Sequence, residues 1–473
     1  MRTSLVVLGG GPGGYAAAFL AADQGHDVVL VEADPRLGGT CLLRGCIPSK
    51  ALLHLARVMG EVDQLSEQWG VHYGPPRIEL DQVRDHQQAL IERLSGGLQQ
   101  LAKRRQVKVI HARGRFRDSH TLELHGEHES LGEDRELNFD HCILATGSRP
   151  VCPPGLASDS ERVMDSGTAL DLQEIPSRLL VIGGGYIGLE LGTVYARLGS
   201  RVSVAELTPG LLPGVDRDLV KVLHRQLDIL FAEPVMLETK VDSIQEVGSS
   251  LEVALIGPEG PLKQSYDRVL VAVGRAPASM DLGLENTQVS LDDRGFVICD
   301  QQQRTADPAI LAVGDVCGEP MLAHHASFQA KTAVRTLQEK SAEGSAELVP
   351  AIIFTDPEIA WVGLTQTQAR ERKQKVRPAI YPWAASGRAQ ALGRTDGMTR
   401  WLVDPETDAL LGCGIVGAGA GDLIAEAVLA IERGCRVQDV AEVIHPHPTL
   451  SETLSGAAEV YLGTATEVYK PRR

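Results

Sequence analysis

Two cysteines, Cys41 and Cys46, stand five positions apart in a glycine-containing segment. If Cys46 begins a helical turn and Cys41 precedes it, the bent link allows the approach of about 4.4–6.8 Å between Cα atoms that a disulfide needs. A helix N-terminus also lowers a thiol pKa, which favours the thiolate that exchanges with other disulfides. Zinc binding is disfavoured because no second cysteine pair follows. Inert buried thiols remain the alternative to a redox-active pair.

A second group with possible chemistry lies near the C-terminus, where His445 and His447 precede Glu452. A carboxylate that accepts a hydrogen bond from one imidazole nitrogen leaves the other nitrogen free to take a proton from a thiol. The spacing predicts an acid–base pair but does not choose between the two histidines.

The elements that must position these side chains contain a repeated nucleotide-binding pattern. Each copy has an apolar strand, the turn G-x-G-x-x-G, a helix, a second strand, and an acidic residue eighteen positions after the last glycine. The copies consist of Gly9, Gly11, Gly14 and Glu32, and of Gly183, Gly185, Gly188 and Glu206. Such turns let a pyrophosphate approach a helix N-terminus, and the acid accepts hydrogen bonds from a ribose. Two dinucleotide sites are predicted, and Glu206 favours NAD over NADP because it would repel a 2′-phosphate.

The spacing of further strands predicts the domain order. The stretches 143–147 and 270–274 close the two copies, and a third short strand at 310–315 follows the second copy. We therefore expect the second domain to be inserted within the first, which also carries a polar helical segment at about 78–105. From about residue 346, strands near 352–354, 360–362, 399–403 and 410–416 and helices near 422–433 and 437–443 predict an antiparallel sheet with covering helices.

Composition excludes several classes of function. The chain has 473 residues, 49 of them glycine, and a net charge of −16, which argues against nucleic-acid binding. No apolar run approaches the ~18 residues of a membrane helix, and the opening apolar run is too short for a signal peptide. We expect a cytoplasmic protein whose eight cysteines lie in a reducing compartment.

Three motifs together resemble the pyridine nucleotide-disulfide oxidoreductase flavoproteins. They are the first glycine turn with Glu32, the run Gly-Gly-Thr-Cys-x₄-Cys-Ile-Pro-Ser-Lys, and Ala-Thr-Gly-Ser-Arg-Pro at 145–150. The resemblance runs from residue 5 to about 455. It implies an α/β fold with two Rossmann-like domains, FAD-binding (1–150 and 275–345) and NAD-binding (151–274), and a C-terminal α+β dimerisation domain (346–473).

The resemblance also implies cofactor contacts. Those for FAD are Gly9, Gly11, Gly14, Glu32, Lys50, Gly114, Gly147, Asp315 and Ala323. Those for NAD are Gly183, Gly185, Gly188, Glu206, Val241 and Gly274, and no metal is expected. Lys50 is expected to approach flavin N5 while paired with Glu190.

Among these flavoproteins, the chain is most similar to members that oxidise protein-bound dihydrolipoamide with NAD. The implied catalytic residues are Cys41, Cys46, His447 and Glu452, with His445 structural. His447 takes a proton from a substrate thiol, the thiolate attacks Cys41, and electrons pass from Cys46 through FAD to NAD. The implied partners are a second copy of the chain, which completes each site with its histidine, and a lipoyl domain of an acyltransferase (E2) or an H-protein.

The chain departs from the family pattern at Arg44, which either lowers a nearby thiol pKa or points to solvent, and at His325 and Pro446. A glutathione-reductase-like enzyme that uses NAD(P)H on another disulfide is the alternative. It would need an arginine near position 206 for a 2′-phosphate, and residues 207–210 contain none.

Overall fold

A computed structural model of the chain describes residues 1–126, 135–156, 160–338 and 348–469. Within these ranges, no helix has both the length and the apolar character needed to span a membrane. The predicted boundary between residues 345 and 346 lies outside the described residues.

The strands follow in chain order: β1 Arg2–Leu8, β2 Val28–Glu32, β3 Lys108–His111, β4 Arg113–Asp118, β5 Thr121–His125, β6 Glu136–Leu144, β7 Ser148–Pro150, β8 Val163–Met164, β9 Arg178–Ile182, β10 Arg201–Ala205, β11 Ala232–Met236, β12 Lys240–Val247, β13 Ser250–Gly257, β14 Gly260–Tyr266, β15 Arg268–Val271, β16 Arg275–Pro277, β17 Ile310–Ala312, β18 Ala351–Ile353, β19 Glu358–Gly363, β20 Arg377–Pro382, β21 Met398–Val403 and β22 Leu410–Gly417.

The α-helices are α1 Pro12–Asp23, α2 Gly39–Arg44, α3 Cys46–Gln68, α4 Leu80–Arg104, α5 Ser166–Leu170, α6 Tyr186–Leu198, α7 Arg217–Leu230, α8 Ala323–Leu337, α9 Gln366–Glu371, α10 Gly387–Leu392, α11 Ala420–Glu432, α12 Val437–Ala441 and α13 Glu452–Leu462. Short 3₁₀ helices cover Leu284–Asn286, Gly314–Cys317 and Trp383–Ala385.

The first sheet has the order β3-β2-β1-β6-β5-β4, with β17 also beside β6. The strands β3, β2, β1, β6 and β17 are parallel, and both faces of β1 are covered, since Val6 and Val7 are fully buried. In the late strand, Leu311 aligns with Ile143. The chain thus returns to its first sheet after the second glycine turn, which confirms the predicted insertion.

The inserted part has its own parallel sheet, in the order β11-β10-β9-β15-β8. An antiparallel sheet of β12, β13 and β14 packs beside it, and the short ribbon of β7 and β16 links the two nucleotide-binding parts. Helices α1 and α6 follow β1 and β9, and each begins directly after a glycine of its turn. The two parts therefore repeat one strand–turn–helix construction, as predicted.

The C-terminal part is an antiparallel sheet, β18-β19-β22-β21-β20, packed against α11 and α13. The predicted strands and helices of this part are all present, with bounds shifted by a few residues. Edge strand β20 escaped prediction because Pro378 and Pro382 break the strand pattern. Gly114, one of the expected FAD contacts, lies in β4, directly after β3.

A buried ion-pair cluster joins the C-terminal sheet to the inserted part. Arg400, on β21, pairs with Asp216 just before α7 and with Asp218 in its first turn. Arg400 and Asp216 are 2% and 3% exposed, and Asp216 also accepts hydrogen bonds from the backbone N–H groups of Gln366 and Thr367. Removing one partner of such a pair leaves a buried charge without compensation.

We expect Arg400→Met to destabilise the folded protein by about 3–5 kcal/mol, because the Asp216 carboxylate would stay buried without its cation. The measurement is a shift of the urea unfolding midpoint. The matched control is Lys375→Met, which breaks an ion pair with Glu406 whose side chains are 82% and 75% exposed, and which should barely move the midpoint. Equal midpoints for the Arg400 variant and the parent protein would contradict the expectation.

Candidate active site

The two motif cysteines lie on neighbouring helices that meet at Gly45. Cys41 is in the short helix α2, and Cys46 is the first residue of the 23-residue helix α3. A side chain at Gly45 would place its Cβ 2.8 Å from the Thr40 carbonyl oxygen, so only glycine fits this tight link. The thiols of Cys41 and Cys46 are in hydrogen-bond contact. The sequence predicts that Cys41 precedes a helical turn, whereas Cys41 lies within the helix α2.

The two thiols have opposite acidities. The hydrogen bond donated by Cys41 lowers the pKa of Cys46 to about 7, with help from the Lys50 ammonium and against burial and Glu190. The same hydrogen bond, together with burial, raises the pKa of Cys41 far above that of an ordinary thiol. The positive end of α3 also favours an anion at Cys46. In the reduced pair, Cys46 is therefore the thiolate and Cys41 the thiol that donates to it.

This asymmetry predicts the pH dependence of alkylation. In the reduced protein, the rate at which iodoacetamide modifies Cys46 should rise with pH and level off above a midpoint of about 7, because only the thiolate reacts. Lys50→Met should move this midpoint upwards, since it removes the cation that favours the thiolate. Peptide mapping after timed alkylation gives the rate. A midpoint at the ordinary thiol value of about 8.5 in the unsubstituted protein would contradict the assignment.

Beyond the thiols, Lys50 and Glu190 form the ion pair expected from the sequence. The Lys50 Nζ lies 2.7 Å from Oε2 of Glu190, whose side chain is 4% exposed. The other carboxylate oxygen accepts a hydrogen bond from the backbone N–H of Phe354 at 3.0 Å. The ring of Phe354 also lies under the ammonium, with Nζ 4.5 Å from its centroid. A residue just after β18 thus holds both members of the pair.

A cavity of about 850 Å³ runs from the first glycine turn to the thiols, within the range of cofactor sites. Many predicted FAD contacts line it together with both cysteines, namely Gly9, Gly11, Glu32, Lys50, Gly114, Gly147, Glu190, Asp315 and Ala323. Gly14 lies behind the turn instead. A Cβ on Gly14 would lie 1.7 Å from the Gly9 carbonyl oxygen, so Gly14 allows the close packing of helix on strand.

The cavity fits a flavin dinucleotide in two respects. The N-terminus of α1 opens into it, where free backbone N–H groups and the helix dipole favour a diphosphate. The hydroxyl of Thr146, which lines the cavity, is buried and has no hydrogen-bond partner among the described residues. A buried hydroxyl without a partner is costly, so a ligand with polar atoms would satisfy it.

The acidic residues of the two glycine turns are held in the same way. Glu32 accepts hydrogen bonds from Gly10 N–H at 2.6 Å and Asp34 N–H at 2.8 Å, and Glu206 accepts from Gly184 and Thr208 at the same distances. Each carboxylate keeps further lone pairs for ribose hydroxyls. Burial raises the pKa of Glu32, against these backbone hydrogen bonds.

Other predicted NAD contacts are spread over the inserted part. Gly183 and Gly188 repeat the close approach of the first turn, since a Cβ on Gly188 would lie 2.4 Å from the Gly183 carbonyl oxygen. Gly274, three residues after the end of β15, has a φ of +132°. The side chain of Val241 packs in the core with Leu251 and Leu255, so a nucleotide could reach only its backbone.

The cavity lining includes residues that the sequence analysis did not single out, among them Ser148, Tyr186 and Arg275. Ser148 donates to Asp315 at 2.5 Å and accepts from Arg275 at 2.7 Å, so the serine joins the acid to a cation. Tyr186 also lines the cavity, where burial raises its pKa to about 12. Arg275 directly follows Gly274, and Tyr186 directly follows Gly185. These positions next to predicted nucleotide contacts were the only sequence signal that the two residues line the cavity.

Two of the three residues that depart from the family pattern, Arg44 and His325, have partners within the fold. Arg44 forms an ion pair with Asp34 rather than pointing freely to solvent. His325 lies 3.2 Å from the Pro320 carbonyl oxygen, and burial lowers its pKa.

The geometry at the C-terminal motif distinguishes the two histidines. Both ring nitrogens of His445 are engaged, with Glu426 at 2.8 Å and the Val443 carbonyl at 2.9 Å, and the side chain is 6% exposed. His447 is 77% exposed and uses Nδ1 on Glu452 at 2.8 Å. Burial opposes ionisation of Glu452, but hydrogen bonds from Thr449 and His447 lower its pKa overall. The arrangement leaves Nε2 of His447 available for proton transfer, although neither residue lines the cavity in a single chain.

Comparisons with known proteins agree with this geometry. Residues 3–330 match the family described as pyridine nucleotide-disulphide oxidoreductase. Residues 349–458 match the dimerisation domain of the same family.

Individual proteins are similar over nearly the whole chain. Dihydrolipoyl dehydrogenase of Vibrio cholerae is 42% identical over 99% of this chain and 97% of its own length, and that of Haloferax volcanii is 40% identical over 98% and 97%. Among solved structures, LpdA from Mycobacterium tuberculosis matches with a TM-score of 0.89 at 26% identity, over 97% of this chain and 99% of that one. The HOCl-induced flavoprotein disulfide reductase RclA from Escherichia coli matches with a TM-score of 0.86 at the same identity and coverage.

Proposed function

The chain belongs to the pyridine nucleotide-disulphide oxidoreductase family, whose members use FAD and NAD, and on that premise we propose that it oxidises protein-bound dihydrolipoamide to lipoamide and reduces NAD⁺ to NADH. This is the reaction of the E3 component of 2-oxo acid dehydrogenase complexes. The observation that carries the proposal is the contacting pair Cys41 and Cys46 on the wall of a dinucleotide-sized cavity. The relatives named dihydrolipoyl dehydrogenase support the choice of substrate.

The proposed reaction begins with a disulfide between Cys41 and Cys46. His447 removes a proton from one thiol of dihydrolipoamide, and the resulting thiolate attacks the sulfur of Cys41, which forms a mixed disulfide and releases Cys46 as a thiolate. The second substrate thiol then closes the lipoyl disulfide, which leaves Cys41 as a thiol and Cys46 as a thiolate. Glu452 holds the imidazole ring so that Nε2 faces the substrate. FAD bound in the cavity would accept the electron pair from sulfur and supply the hydride to NAD⁺.

The cofactor contacts follow the two repeated turns. We propose that FAD is held by Gly9, Gly11, Glu32, Lys50, Gly114, Gly147, Asp315 and Ala323, with Glu190 orienting Lys50. Gly14 would contribute indirectly, by allowing the close packing of helix on strand that shapes the turn. NAD would be held by Gly183, Gly185, Gly188, Glu206, Gly274 and the backbone of Val241. The corresponding domains are 1–150 with 275–345, 151–274, and 346–473, a division supported by the strand membership of the sheets.

The family match of the C-terminal part supports a homodimer. We propose that each site is completed by the partner's histidine and that the substrate arrives on a lipoyl domain of an acyltransferase or on an H-protein. We place the enzyme in the cytoplasm, where its many thiols would stay reduced.

Turnover with purified substrates tests the proposal. The purified protein should bind flavin and reduce NAD⁺ when dihydrolipoamide is added. NADPH with glutathione disulfide should give negligible turnover. Flavin-loaded protein that oxidises NADPH with glutathione disulfide, and is inert with dihydrolipoamide, would replace this proposal with the glutathione-reductase-like one.

Glu206→Ala should raise the KM for NAD⁺ by about one to two orders of magnitude, because two charge-assisted hydrogen bonds to the ribose are lost at ~1.5 kcal/mol or more each. Steady-state kinetics with varied NAD⁺ gives the value. Glu32→Ala is the matched control, because the same carboxylate position in the first turn should affect FAD content and leave the KM for NAD⁺ of the flavin-loaded fraction unchanged. An unchanged KM in the Glu206 variant would remove this residue from the ribose site.

A further inference from the structure

A second pair of cysteines is in contact outside the site described above. Cys317 ends the 3₁₀ helix Gly314–Cys317, and Cys299 lies in the segment that precedes β17. The two thiols are in hydrogen-bond contact, and Cys299 Sγ also lies 3.9 Å from the side-chain oxygen of Gln303. The adjoining backbones are joined as well, since Val297 N–H donates to the Val316 carbonyl at 2.8 Å.

We propose that Cys299 and Cys317 form a second, peroxide-sensitive dithiol whose oxidation to a disulfide clamps one wall of the cofactor cavity. Both thiols are partly accessible, and the backbone hydrogen bond from Val297 to Val316 holds the two segments that carry them side by side.

The two thiols are suited to different steps. Cys317 donates a hydrogen bond to Cys299, which lowers the pKa of Cys299, while the donation and burial raise the pKa of Cys317. The Cys299 thiolate attacks a peroxide oxygen, which forms a sulfenic acid and releases hydroxide. The Cys317 sulfur then attacks the sulfenic sulfur, its proton leaves with the sulfenic hydroxyl as water, and the disulfide forms. Two thiols are oxidised, and one peroxide is reduced to two waters.

The position of Cys317 connects this pair to the cofactor cavity. Asp315, two residues earlier, lines the cavity, and so do Met321 and Ala323 shortly after. Asp315 also lies close enough to both Cys317 and Cys41 to raise the pKa of each. A covalent link from Cys317 to Cys299 would therefore restrict the segment that carries three cavity-lining residues, and bound flavin should leave more slowly.

Three of the four other thiols outside the motif, Cys142, Cys152 and Cys413, lack these features. Cys142 and Cys413 are fully buried, and burial raises the pKa of each. Cys152 is exposed, and its sulfur lies 3.9 Å from the Pro153 carbonyl oxygen rather than beside another thiol. Cys152 therefore serves as a matched control that is accessible but not paired with a thiol.

Mass spectrometry of the oxidised holoenzyme tests the pair directly. The flavin-loaded protein is reduced, freed of reductant, treated with hydrogen peroxide, blocked with N-ethylmaleimide and digested. We expect a cross-linked peptide that contains Cys299 and Cys317 and is two hydrogens lighter than the two thiol peptides together. The cross-link should vanish in Cys299→Ser and Cys317→Ser and persist in Cys152→Ser and Cys41→Ser. The inference is overturned if both thiols stay alkylated, or form sulfinic acids without a cross-link, at peroxide doses that oxidise Cys41.

Flavin release provides the second readout. The rate at which FAD fluorescence appears in dilute urea should be several-fold lower for cross-linked protein than for reduced protein, and Cys299→Ser should abolish this difference. If cross-linked and reduced protein release FAD at equal rates, although the cross-link has been verified, the proposed effect of the disulfide on the cofactor cavity is wrong. Because neither readout uses dihydrolipoamide or NAD⁺, failure here is distinguishable from failure of the proposed function.

Discussion

Cys46→Ser should lose at least about a thousandfold in turnover of dihydrolipoamide with NAD⁺, the scale on which removal of an essential nucleophile acts. Serine cannot form the disulfide with Cys41, so the enzyme has no group to receive electrons from the substrate. It also cannot supply the thiolate that the hydrogen bond from Cys41 and the Lys50 cation stabilise. The measurement is steady-state formation of NADH at matched flavin content.

The same variant should still pass electrons from NADH to an artificial dye, because that reaction needs both dinucleotide sites but no thiol. Cys152→Ser, which changes an exposed thiol elsewhere, should match the parent protein in both assays. Retention of dihydrolipoamide turnover in Cys46→Ser would refute the thiol relay. If the variant loses both activities and also fails to retain flavin, the serine substitution has disturbed folding. The same two assays would then be run on Cys46→Ala instead.

The second large effect concerns the C-terminal motif. His447→Gln should lower kcat with dihydrolipoamide by about 10²–10⁴, the usual contribution of a general base. His445→Gln should cost much less, because both nitrogens of that ring are already engaged within the fold. Steady-state kinetics of the two variants side by side gives the comparison. A larger loss for the His445 variant would reverse the assignment.

Mixed dimers reveal which subunit supplies the histidine. Co-expression of Cys46→Ser and His447→Gln chains with different tags gives heterodimers that carry one defect in each chain. If His447 acts in the partner's site, one of the two sites is intact and about half of the parental turnover should return. If His447 acts within its own chain, neither site is complete, and the heterodimer should be as inactive as the homodimers of the two variants.

Features that depend on short stretches of chain were predictable from the sequence. The glycine turns, their acids and the cysteine spacing each reflect contacts within about thirty residues, and the structure gives both turns the same hydrogen bonds. The ion pair of Lys50 and Glu190 spans 140 positions. It was expected only because the family resemblance implied it.

Other long-range features had no signal in the sequence. Nothing near Arg400 indicates that it pairs with Asp216, 184 positions away, and a buried arginine is unusual enough that a surface position would be assumed. Two shorter-range contacts also lacked a signal in the sequence. Arg44 pairs with Asp34 only ten positions away, and Cys299 contacts Cys317 across eighteen positions, but neither pair belongs to a motif or a periodic pattern.

The contact between Phe354 and the Lys50–Glu190 pair has a consequence for engineering. A fragment that stops at residue 338 would retain both glycine turns and both motif cysteines. It would nevertheless leave one oxygen of Glu190 without its donor and strip the ammonium of its aromatic neighbour. Such a fragment could keep its affinity for nucleotides and still have altered sulfur reactivity. Chimeras in which relatives exchange the C-terminal part, 346–473, should therefore keep an aromatic residue at position 354.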